Sequence, residues 1–575
     1  MAEEIWMLQT KKADFNRIAE QFQIDPVTAR IIRNRGIEGE EQIARYLKGT
    51  LEELYAPDLL KDMDLAVRIL KEKLAAGKRI RIVGDYDIDG VCSTYLLLTA
   101  FERLGASVDY EIPDRIRDGY GINESIIEQA HQDGIDTIVT CDNGISAYAQ
   151  IAKAKEYGMT VIVTDHHEVP LSEGGEVLPP ADAVIDPKQE ACSYPFPEIC
   201  GAVVAYKLIQ VLYRELQIPE VEWRRLLEFA AIATVGDVMR LQDENRILVK
   251  YGLKQMADTP NLGLRKLAEK NNLDLGHITA YQIGFVIGPC LNAGGRLKTA
   301  KLALSLLRAR EEETADRLAE ELKELNDQRK DMTEQGTAAA RLLVDTWYQE
   351  DSVLVVYLPD CHESLAGIIA GRLREQYQKP AIVLTPGEEA VKGSGRSIES
   401  YHMFRKLTEV KDLLLKFGGH PMAAGLSLKE EQVEELRRRL KENSGLTKED
   451  FKARVWIDVP MPLGYVREKL VRELECLEPF GQGNEKPLFA QKNLRIRSAR
   501  VFGRNRNVVK LILEEANGFA MEALYFGDGI AFEEERGGRS RIDIIYYPDI
   551  NEYNGNRSLQ AVVRRYKFHA EQVRA

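Results

Sequence analysis

The 575-residue sequence lacks several features that would assign it to a membrane or secreted class. It has no run of about 18 apolar residues, which argues against a membrane span. Its start, Met1-Ala2-Glu3-Glu4, lacks the basic-then-apolar pattern of a secretory signal. Its seven cysteines are scattered and include no Cys-x-x-Cys pair, which favours reduced thiols over a disulfide framework or a zinc site. We therefore expect a cytoplasmic protein with no membrane partner.

An overall excess of positive charge, which is common in nucleic-acid-binding proteins, is also missing, because the net charge is −13. The distribution of charge matters more than the sum, however. Seven basic residues and no acidic residue lie between Lys492 and Lys510. This concentrated basic stretch is compatible with a phosphate backbone as ligand.

The length predicts about three or four domains. Between about residues 61 and 240, strand and helix patterns alternate, with strands expected at 79–84, 137–141, 160–164 and 183–185. Such alternation predicts an α/β fold with a doubly wound parallel sheet. The predicted division of the chain is a helical segment 1–60, an α/β domain 61–300, a connecting helix 301–349, a second α/β domain 350–450 and a small β-barrel 451–575.

The pattern also predicts particular helix starts and ends. Gly90 is expected to open a helix that begins near Val91 and presents its positive end to the crevice beyond the sheet. The glycine-rich stretch 288–296 is expected to be irregular, and one continuous helix is expected from Leu302 to about Tyr348. That long helix is too polar to be buried all round, so we expect it to bridge two domains.

Carboxylates and histidines directly follow three of the predicted strands. Asp85 and Asp87 follow the first, Asp142 follows the second, and the triplet Asp165-His166-His167 follows the third. In an open α/β sheet, ligands bind in the crevice beyond the carboxyl ends of the strands. Clustered carboxylates repel one another unless a cation lies among them. The sequence therefore predicts a metal-dependent hydrolase.

A further acid is needed to complete two metal spheres, and Asp186 and Asp237 are the candidates. Asp237 is favoured because it follows an apolar helical run, where a bare acid is costly unless it is paired or liganded. Asp165 is expected to orient one histidine ring. Oxygen and nitrogen ligands without thiolate favour Mn²⁺ or Mg²⁺, and the histidines favour Mn²⁺. Two ions about 3.5–4 Å apart would activate a water molecule for in-line attack at phosphorus.

These motifs resemble the DHH phosphoesterase superfamily, which takes its name from the Asp-His-His triplet. The stretch Asp85 to Gly90 resembles the first motif of its RecJ branch, the single-strand-specific exonucleases. The resemblance extends from about residue 60 to 570 and includes separated motifs in the same order: Cys200-Gly201-Ala202, Lys392 to Ser397, Gly418 to Pro421, Leu477 to Asn484, and Arg557 to Gln560.

The resemblance implies a DHH catalytic domain, a long connecting helix, a DHH-associated domain and an OB-fold. It also implies degradation of single-stranded DNA from the 5′ end to mononucleotides, in repair and recombination. The implied metal ligands are Asp85, Asp87, Asp142, His166 and Asp237, with His167 as a partner in the same site. The implied contacts to substrate are Ser394 and Arg396 on the terminal 5′ phosphate, together with Arg115 and Arg296, and His420 beside Gly419 near the cleaved bond.

Several positions depart from the family pattern, among them Gly294, Tyr553 and Val83. The most consequential is Cys290, which stands where the family usually has arginine and leaves one phosphate contact in question. On the barrel, Phe502, Tyr525 and Phe526 are available for stacking with bases. The resemblance further implies a monomer that works with a single-strand-binding protein and a helicase.

Two other functions stay open. One is a phosphodiesterase of dinucleotides or cyclic dinucleotides, although such proteins usually lack the OB-fold and the long helix. The other is an inactive single-strand-binding scaffold, which should have lost metal ligands.

Overall fold

The computed structural model describes residues 4–115, 117–119, 121–553 and 556–569. Residues 1–3, 554–555 and 570–575 of the predicted terminal domains lie outside the described residues. The chain divides into two compact units. Of the described residues, one unit contains 54–453, and the other contains 4–53 together with those from 454 to 569.

A five-stranded parallel sheet lies at the centre of the first part of residues 54–453, which confirms the predicted doubly wound fold. The order across the sheet is Val108–Glu111, Ile80–Val83, Thr137–Cys141, Thr160–Thr164 and Ala183–Ile185. The first crossover adds a strand on one side of Ile80–Val83, and every later crossover adds strands on the other side. The gap between Ile80–Val83 and Thr137–Cys141 is therefore the topological switch point, where ligands bind in such sheets.

The edge strand Val108–Glu111 was not predicted. All four of its residues are half-buried, and two of them are acidic. A strand of this kind lacks the buried run of mainly β-branched residues by which the central strands could be recognised.

Helices cover both faces of the parallel sheet, and their bounds are Met63–Ala75, Ile88–Arg103, Glu124–Gln132, Tyr148–Glu156, Gly201–Glu215 and Leu227–Gly236. The helix Ile88–Arg103 begins earlier than the predicted Val91. Asp87 is its N-cap, and the Asp87 carboxylate accepts hydrogen bonds from the backbone N–H groups of Asp89 and Gly90 at 3.0 and 3.1 Å. A metal-ligand candidate is thus also the residue that starts the helix.

The prediction of irregular structure at 288–296 was wrong, because Gly288–Leu297 is an α-helix. Pro289 fits in its first turn, where no backbone donor is required. Three further helices, Asp243–Gln255, Leu262–Lys270 and Ala280–Gln282, precede it, and a π-helical turn at Ile283–Ile287 leads into it.

The long connecting helix is present as Glu312–Leu343, but it begins later than predicted. A separate short helix, Lys301–Leu307, precedes it. The side chain of Asn261 donates a hydrogen bond to the carbonyl oxygen of Leu307 at 2.7 Å. The short helix can therefore end there, because one of its terminal carbonyls already has a partner.

Residues 354–442 form a mixed five-stranded sheet with helices. The order across this sheet is Leu414–Gly419, Ala423–Leu428, Val391–Arg396, Ala381–Thr385 and Leu354–Tyr357, and only the last two strands are parallel. The helices are Ala366–Tyr377, Met403–Thr408 and Val433–Glu442. Ala366–Tyr377 buries Ile369, Ala370 and Leu373 against the sheet.

In the other unit, five strands close into a barrel, as predicted for an OB-fold. The ring runs through Phe489–Phe502, Val508–Glu514, Ala520–Phe526, Asn556–Phe568 and Arg541–Tyr553. Arg541–Tyr553 pairs again with Phe489–Phe502, which completes the ring.

The N-terminal helices Phe15–Phe22, Pro26–Asn34 and Glu40–Lys48 share the core of this barrel unit. Ile31, Ile32, Ile43 and Tyr46 are buried together with barrel residues such as Phe489 and Tyr546. Over the described part of the chain, no helix is both long enough and apolar enough to pass through a bilayer.

Candidate functional site

Asp85 and Asp87 lie on the turn that connects the strand Ile80–Val83 to the helix Ile88–Arg103. The Asp85 side chain is buried, at 1% exposure, and its carboxylate accepts a hydrogen bond from the backbone N–H of Gly121 at 3.2 Å. Asp87 caps the helix with one of its carboxylate oxygens. The turn therefore holds two carboxylates beside the sheet's switch point with little freedom to move.

Asp142 follows the neighbouring strand Thr137–Cys141 and has a left-handed backbone conformation, with φ of 60°. Aspartate tolerates this conformation better than most residues do. The helix Gly201–Glu215 starts directly against Asp142. A β-carbon on Gly201 would lie 2.7 Å from the β-carbon of Asp142, so only glycine lets the helix approach so closely.

The two histidines after the strand Thr160–Thr164 have different environments. His166 Nε2 lies 3.1 Å from an oxygen of Asp142. His167 Nδ1 lies 2.7 Å from an oxygen of the fully buried Asp165, which also accepts hydrogen bonds from backbone N–H groups of Ile145 and His166. Asp165 therefore orients the ring of His167, while the ring of His166 points into the carboxylates.

Of the two candidates for the remaining acid, the structure brings Asp237 to the site. Asp237 is the C-cap of the helix Leu227–Gly236, and its carboxylate lies 3.7 Å from His166 Nε2. A carboxylate at the negative end of a helix is unfavourable unless a positive charge offsets it. Asp186 lies beyond the strand Ala183–Ile185, where its carboxylate accepts the backbone N–H of Lys188 at 2.8 Å.

Asp89 is a member of the site that was not predicted from the sequence. Asp89 is fully buried, and its two oxygens accept hydrogen bonds from the backbone N–H groups of Gly201 and Ala202, each at 2.7 Å. One of these oxygens also lies 3.5 Å from His166 Nε2. The Asp-x-Asp-x-Asp spacing of residues 85–89 was a signal in the sequence, but no role was predicted for the third acid and the helix was expected to begin only near Val91.

We call the following residues the carboxylate cluster: Asp85, Asp87, Asp89, Asp142 and Asp237, with His166. Three overlapping groups have ligand atoms within 4.8 Å of one another: Asp85, Asp87 and Asp142; Asp89, His166 and Asp237; and Asp142, His166 and His167. Because Asp142 and His166 belong to two groups each, the arrangement is continuous. It offers oxygen and nitrogen donors at the spacing that a divalent cation requires.

The electrostatics of the cluster are unfavourable without a cation. Burial raises the pKa of Asp142 well above its usual value, and the negative charges of Asp89 and Asp87 raise it further. Burial likewise raises the pKa of Asp85 and of Asp237, again with added repulsion from Asp87. The raised pKa values of Asp85, Asp142 and Asp237 favour their protonated forms, and a bound cation would displace those protons.

The two histidines complete this picture. Burial lowers the pKa of His166, so its imidazole is neutral and able to act as a ligand. Its Nδ1 atom is buried and has no hydrogen-bond partner among the described residues. Burial also opposes protonation of His167, but the hydrogen bond to Asp165 and nearby carboxylates raise the pKa of His167 to about 9. The residues present fit a divalent metal centre.

A second cluster contains three arginines and a serine: Arg115, Arg296, Arg396 and Ser394. Arg396 Nη1 lies 3.0 Å from the Ser394 hydroxyl, and Arg296 donates to the carbonyl oxygen of Ser364 at 2.9 Å. Burial lowers the pKa of Arg296 to about 10, and the charge of Arg115 contributes to this shift. Burial also lowers the pKa of Arg396, with contributions from Arg374 and Arg115. Guanidinium groups gathered in this way favour an anion among them.

This arginine cluster lies at the start of the helix Ala366–Tyr377. A β-carbon on Gly367, in the first turn, would lie 2.8 Å from Arg396 Nη2 and 2.9 Å from the Ser394 hydroxyl oxygen. The unpaired backbone N–H groups of a helix N-terminus attract anions. Four substrate-binding candidates thus converge on one positively charged location.

The remaining candidates are placed elsewhere on the mixed sheet. Gly419 ends the strand Leu414–Gly419 with φ of 147°, and His420 is exposed in the turn that follows. Within the described part of the chain, the His420 imidazole makes no hydrogen bond to the carboxylate cluster.

Cys290, which stands where the family usually has arginine, is fully buried on the helix Gly288–Leu297. Its sulfur lies 3.4 Å from the side-chain nitrogen of Asn326 on the long helix. Position 290 therefore packs against a helix and does not face an open crevice.

The barrel presents an exposed aromatic row. Phe502 is opposite Val508, which is in turn opposite Phe526, and the two phenylalanines are 43% and 59% exposed. Arg500 is opposite Lys510 on the same two strands, two residues further along. Because side chains two residues apart share a face of a strand, these basic residues lie on the face that carries the phenylalanines.

Tyr525 does not belong to this row, contrary to expectation. Its ring packs against Phe532 and Tyr566, at centroid distances of 5.7 and 5.1 Å. Neighbouring residues of a strand point to opposite faces, so Tyr525 points away when Phe526 is exposed. Part of the basic stretch is neutralised, because Arg497 pairs with Glu514 and Lys510 pairs with Glu522.

The chain matches three known domain families along its length. These are the DHH family, N-terminal domain, over residues 79–234, the DHHA1 domain over residues 350–444, and the RecJ OB domain over residues 457–565.

The chain is also similar to whole proteins. It is 36% identical over 564 residues to the single-stranded-DNA-specific exonuclease RecJ of Bacillus subtilis, covering 97% of this chain and 70% of that protein. It is 34% identical over 587 residues to the protein of the same description from Escherichia coli, covering 97% and 98%. The crystal structure of RecJ in complex with Mn²⁺ from Thermus thermophilus superposes with a TM-score of 0.85 at 28% identity, covering 99% of this chain and 80% of that one.

Proposed function

Since the chain belongs to the RecJ family of single-stranded-DNA-specific exonucleases, we propose that it hydrolyses single-stranded DNA from a 5′ end to mononucleotides. The observation that carries this proposal is the convergence of Asp85, Asp87, Asp142, His166 and Asp237 at the switch point of the parallel sheet. Metal-assisted phosphodiester hydrolysis uses such a concentration of ligands, because the phosphate and the attacking water both gain from a nearby cation.

We propose Mn²⁺ or Mg²⁺ as the cofactor, with two ions held by Asp85, Asp87, Asp142, His166 and Asp237. The bound cations would neutralise charge on the phosphate and activate water for in-line attack. The Mn²⁺ in the Thermus relative supports this choice, as does the donor set of oxygens and one neutral imidazole.

The chain's own residues prepare this site. Asp165 accepts the Nδ1–H of His167 and so holds that ring beside Asp142, whose oxygen lies 4.0 Å from His167 Nδ1. Asp89 joins the cluster to the helix Gly201–Glu215 through two backbone hydrogen bonds. These contacts fix the ligands before substrate arrives, which reduces the reorganisation that binding must supply.

We assign the 5′ direction to the arginine cluster. Arg115, Arg296, Arg396 and Ser394 would hold the terminal 5′ phosphate at the N-terminus of the helix Ala366–Tyr377. A strand held by its end presents the first phosphodiester bond to the carboxylate cluster. His420 and Gly419 are proposed to contact the strand near the cleaved bond, and the Phe502–Phe526 row on the barrel is proposed to stack bases further along.

The direct test uses a 5′-phosphorylated, 3′-labelled single-stranded oligonucleotide and Mn²⁺. We expect mononucleotides to be released from the 5′ end, and Asp142→Ala to abolish both activity and Mn²⁺ uptake measured by calorimetry. Digestion that begins at the 3′ end, or an intact strand, would reject the proposal. Faster cleavage of a dinucleotide than of a long oligomer would instead identify a small-nucleotide phosphodiesterase.

We further propose that the enzyme acts as a monomer in the cytoplasm, together with a single-strand-binding protein and a helicase that supply single strands. Sedimentation at several protein concentrations tests the monomer. A mass that rises with concentration would contradict it.

A further inference from the structure

Tyr86 lies between two members of the carboxylate cluster, Asp85 and Asp87, yet its own side chain faces a member of the arginine cluster. The guanidinium carbon of Arg115 lies 4.8 Å from the centroid of the Tyr86 ring. This distance is within the range of a cation–π interaction, in which the negative face of the ring attracts the cation. The Tyr86 side chain is half-buried, so the interaction is partly shielded from water.

Arg115 needs such a support because of its position. It lies in the turn after the strand Val108–Glu111 and its side chain is half-buried. Its charge acts on Arg296 and on Arg396, both of which are also cationic. Until an anion is bound, the like charges repel one another and favour movement of Arg115 away from the cluster.

Tyr86 is well suited to supply the support, because its backbone is fixed on both sides. Asp87 caps the helix Ile88–Arg103, and Asp85 accepts a hydrogen bond from the backbone N–H of Gly121. Gly121 belongs to the same connecting segment as Arg115, so this segment is tied to the Tyr86 turn at two points. One point is a hydrogen bond to Asp85, and the other is the ring of Tyr86 against Arg115.

We propose that Tyr86 is a positioning residue that holds Arg115 in place for the terminal 5′ phosphate. The turn that carries two metal-ligand candidates would then also set the strength of 5′-end recognition. This inference rests on the proposed function, because it takes the arginine cluster to be the site of the 5′ phosphate. Tyr86 would act through Arg115 and would not itself contact the strand.

The test compares the full-length wild type with Tyr86→Leu, which removes the aromatic face, and Tyr86→Phe, which retains it. For each, KM and kcat with Mn²⁺ are measured on an oligonucleotide with a 5′ phosphate and on the same oligonucleotide with a 5′ hydroxyl. We expect Tyr86→Leu to raise KM for the phosphorylated strand about tenfold, as loss of a partly shielded cation–π interaction predicts, with little change for the hydroxyl strand. Tyr86→Phe should keep the preference of the wild type.

The double variant with Arg115→Met adds a second criterion. If Tyr86 acts through Arg115, then Tyr86→Leu should cause no further loss of 5′-phosphate preference in an Arg115→Met background. If Tyr86→Leu raised KM equally for the 5′-phosphate and the 5′-hydroxyl oligonucleotides, Tyr86 would stack on a base or support the site in general. That result would overturn the inference. Retention of the preference in Tyr86→Leu would overturn it as well.

Binding without cleavage separates this inference from the proposed function. Fluorescence anisotropy in EDTA measures the affinity of each variant for the two strands when no cation is present. A wild type that binds the phosphorylated strand more tightly, but cleaves neither strand with Mn²⁺, would contradict the nuclease while leaving the role of Tyr86 to be decided by the binding data. Should Tyr86→Leu fail to fold by circular dichroism, Tyr86→Met serves as the non-aromatic variant.

Discussion

Replacing Asp142 by asparagine should stabilise the metal-free protein and weaken its response to a divalent cation. Burial and the charges of Asp89 and Asp87 raise the pKa of Asp142 above the ordinary value of 3.8. Above pH 3.8 the unfolded chain therefore releases a proton that the metal-free native state retains. The free energy of unfolding falls with pH in this range, by up to about 1.4 kcal/mol per pH unit, until the pH passes the native pKa.

Asparagine does not ionise, so the variant avoids this loss of stability. Because several acids of the cluster share the repulsion, we expect the metal-free variant to exceed the wild type by ~1–3 kcal/mol at neutral pH, and by less at pH near 5. With Mn²⁺ the order reverses. A cation at a hundredfold excess over its Kd stabilises the wild type by about 2.7 kcal/mol, and a variant that lacks a shared ligand gains less.

The assay is thermal unfolding in EDTA and in Mn²⁺, followed by circular dichroism between about pH 5 and 8. Asp165→Asn is the matched control at the same edge of the sheet. Although burial raises the pKa of Asp165, the hydrogen bond and charge of His167 lower it overall, so this acid stabilises the fold above its unfolded pKa. Asp165→Asn should therefore destabilise the protein at neutral pH. If Asp142→Asn also destabilised the metal-free protein there, the repulsion argument would be refuted.

Three further outcomes are expected. The apparent affinity for Mn²⁺ should rise with pH, because the raised pKa values of the clustered acids make cation and proton compete for the same oxygens. Calorimetry in buffers of different ionisation enthalpy should detect the protons released on binding. An affinity that does not depend on pH would contradict this prediction. Gly367→Ala should raise KM for a 5′-phosphorylated strand about fivefold or more, because the added methyl group would displace Arg396. Gly371→Ala on the same helix is the control, since a methyl group there meets nothing within 4 Å and should leave KM unchanged. Equal effects of the two substitutions would contradict the steric explanation. Phe526→Ala should weaken binding of a long single strand by ~1–3 kcal/mol in an anisotropy titration. Phe519→Ala is the control, because this phenylalanine is also exposed but lies outside the aromatic row, and it should have little effect. A larger loss of affinity in Phe519→Ala than in Phe526→Ala would place the binding face elsewhere on the barrel.

The core of the candidate site could be predicted because parallel strands bring their carboxyl ends to one edge of a sheet. Asp85, Asp142 and His166 come within two residues of the ends of buried strands rich in β-branched residues, so their proximity required only the correct fold class. Asp237 was harder, because it follows a helix and depends on tertiary packing. It was favoured only because an unpaired acid is costly at that place.

The features that were missed depend on helix phase or on side-chain orientation. Asp89 points into the site because the helix already begins at Ile88, and a boundary error of one turn conceals this. Adjacent histidines compete for one acceptor, and the sequence does not reveal that Asp165 takes the ring of His167. Similarly, alternation along a predicted strand implies that Tyr525 and Phe526 face opposite sides of the sheet. Which of the two side chains faces the core depends on the register of strand pairing, which the sequence does not show.

The packing of the N-terminal helices against the C-terminal barrel could not be predicted from the sequence either. The helices Pro26–Asn34 and Glu40–Lys48 have apolar faces that include Ile31 and Ile43, but a hydrophobic period does not name the surface that covers it. In the structure, these helices pack against strands that lie more than four hundred residues later in the chain, such as Phe489–Phe502.

The complete ring of strands in the C-terminal barrel has a consequence for how this region engages other molecules. Where the ring is closed, each strand has a neighbour on both sides, so its backbone amide and carbonyl groups are already paired. Within the closed part of the ring, a strand of another molecule therefore cannot be added through the backbone. A ligand there is recognised through outward side chains, which suits a polymer whose units all offer a flat ring but differ in their hydrogen-bonding edges.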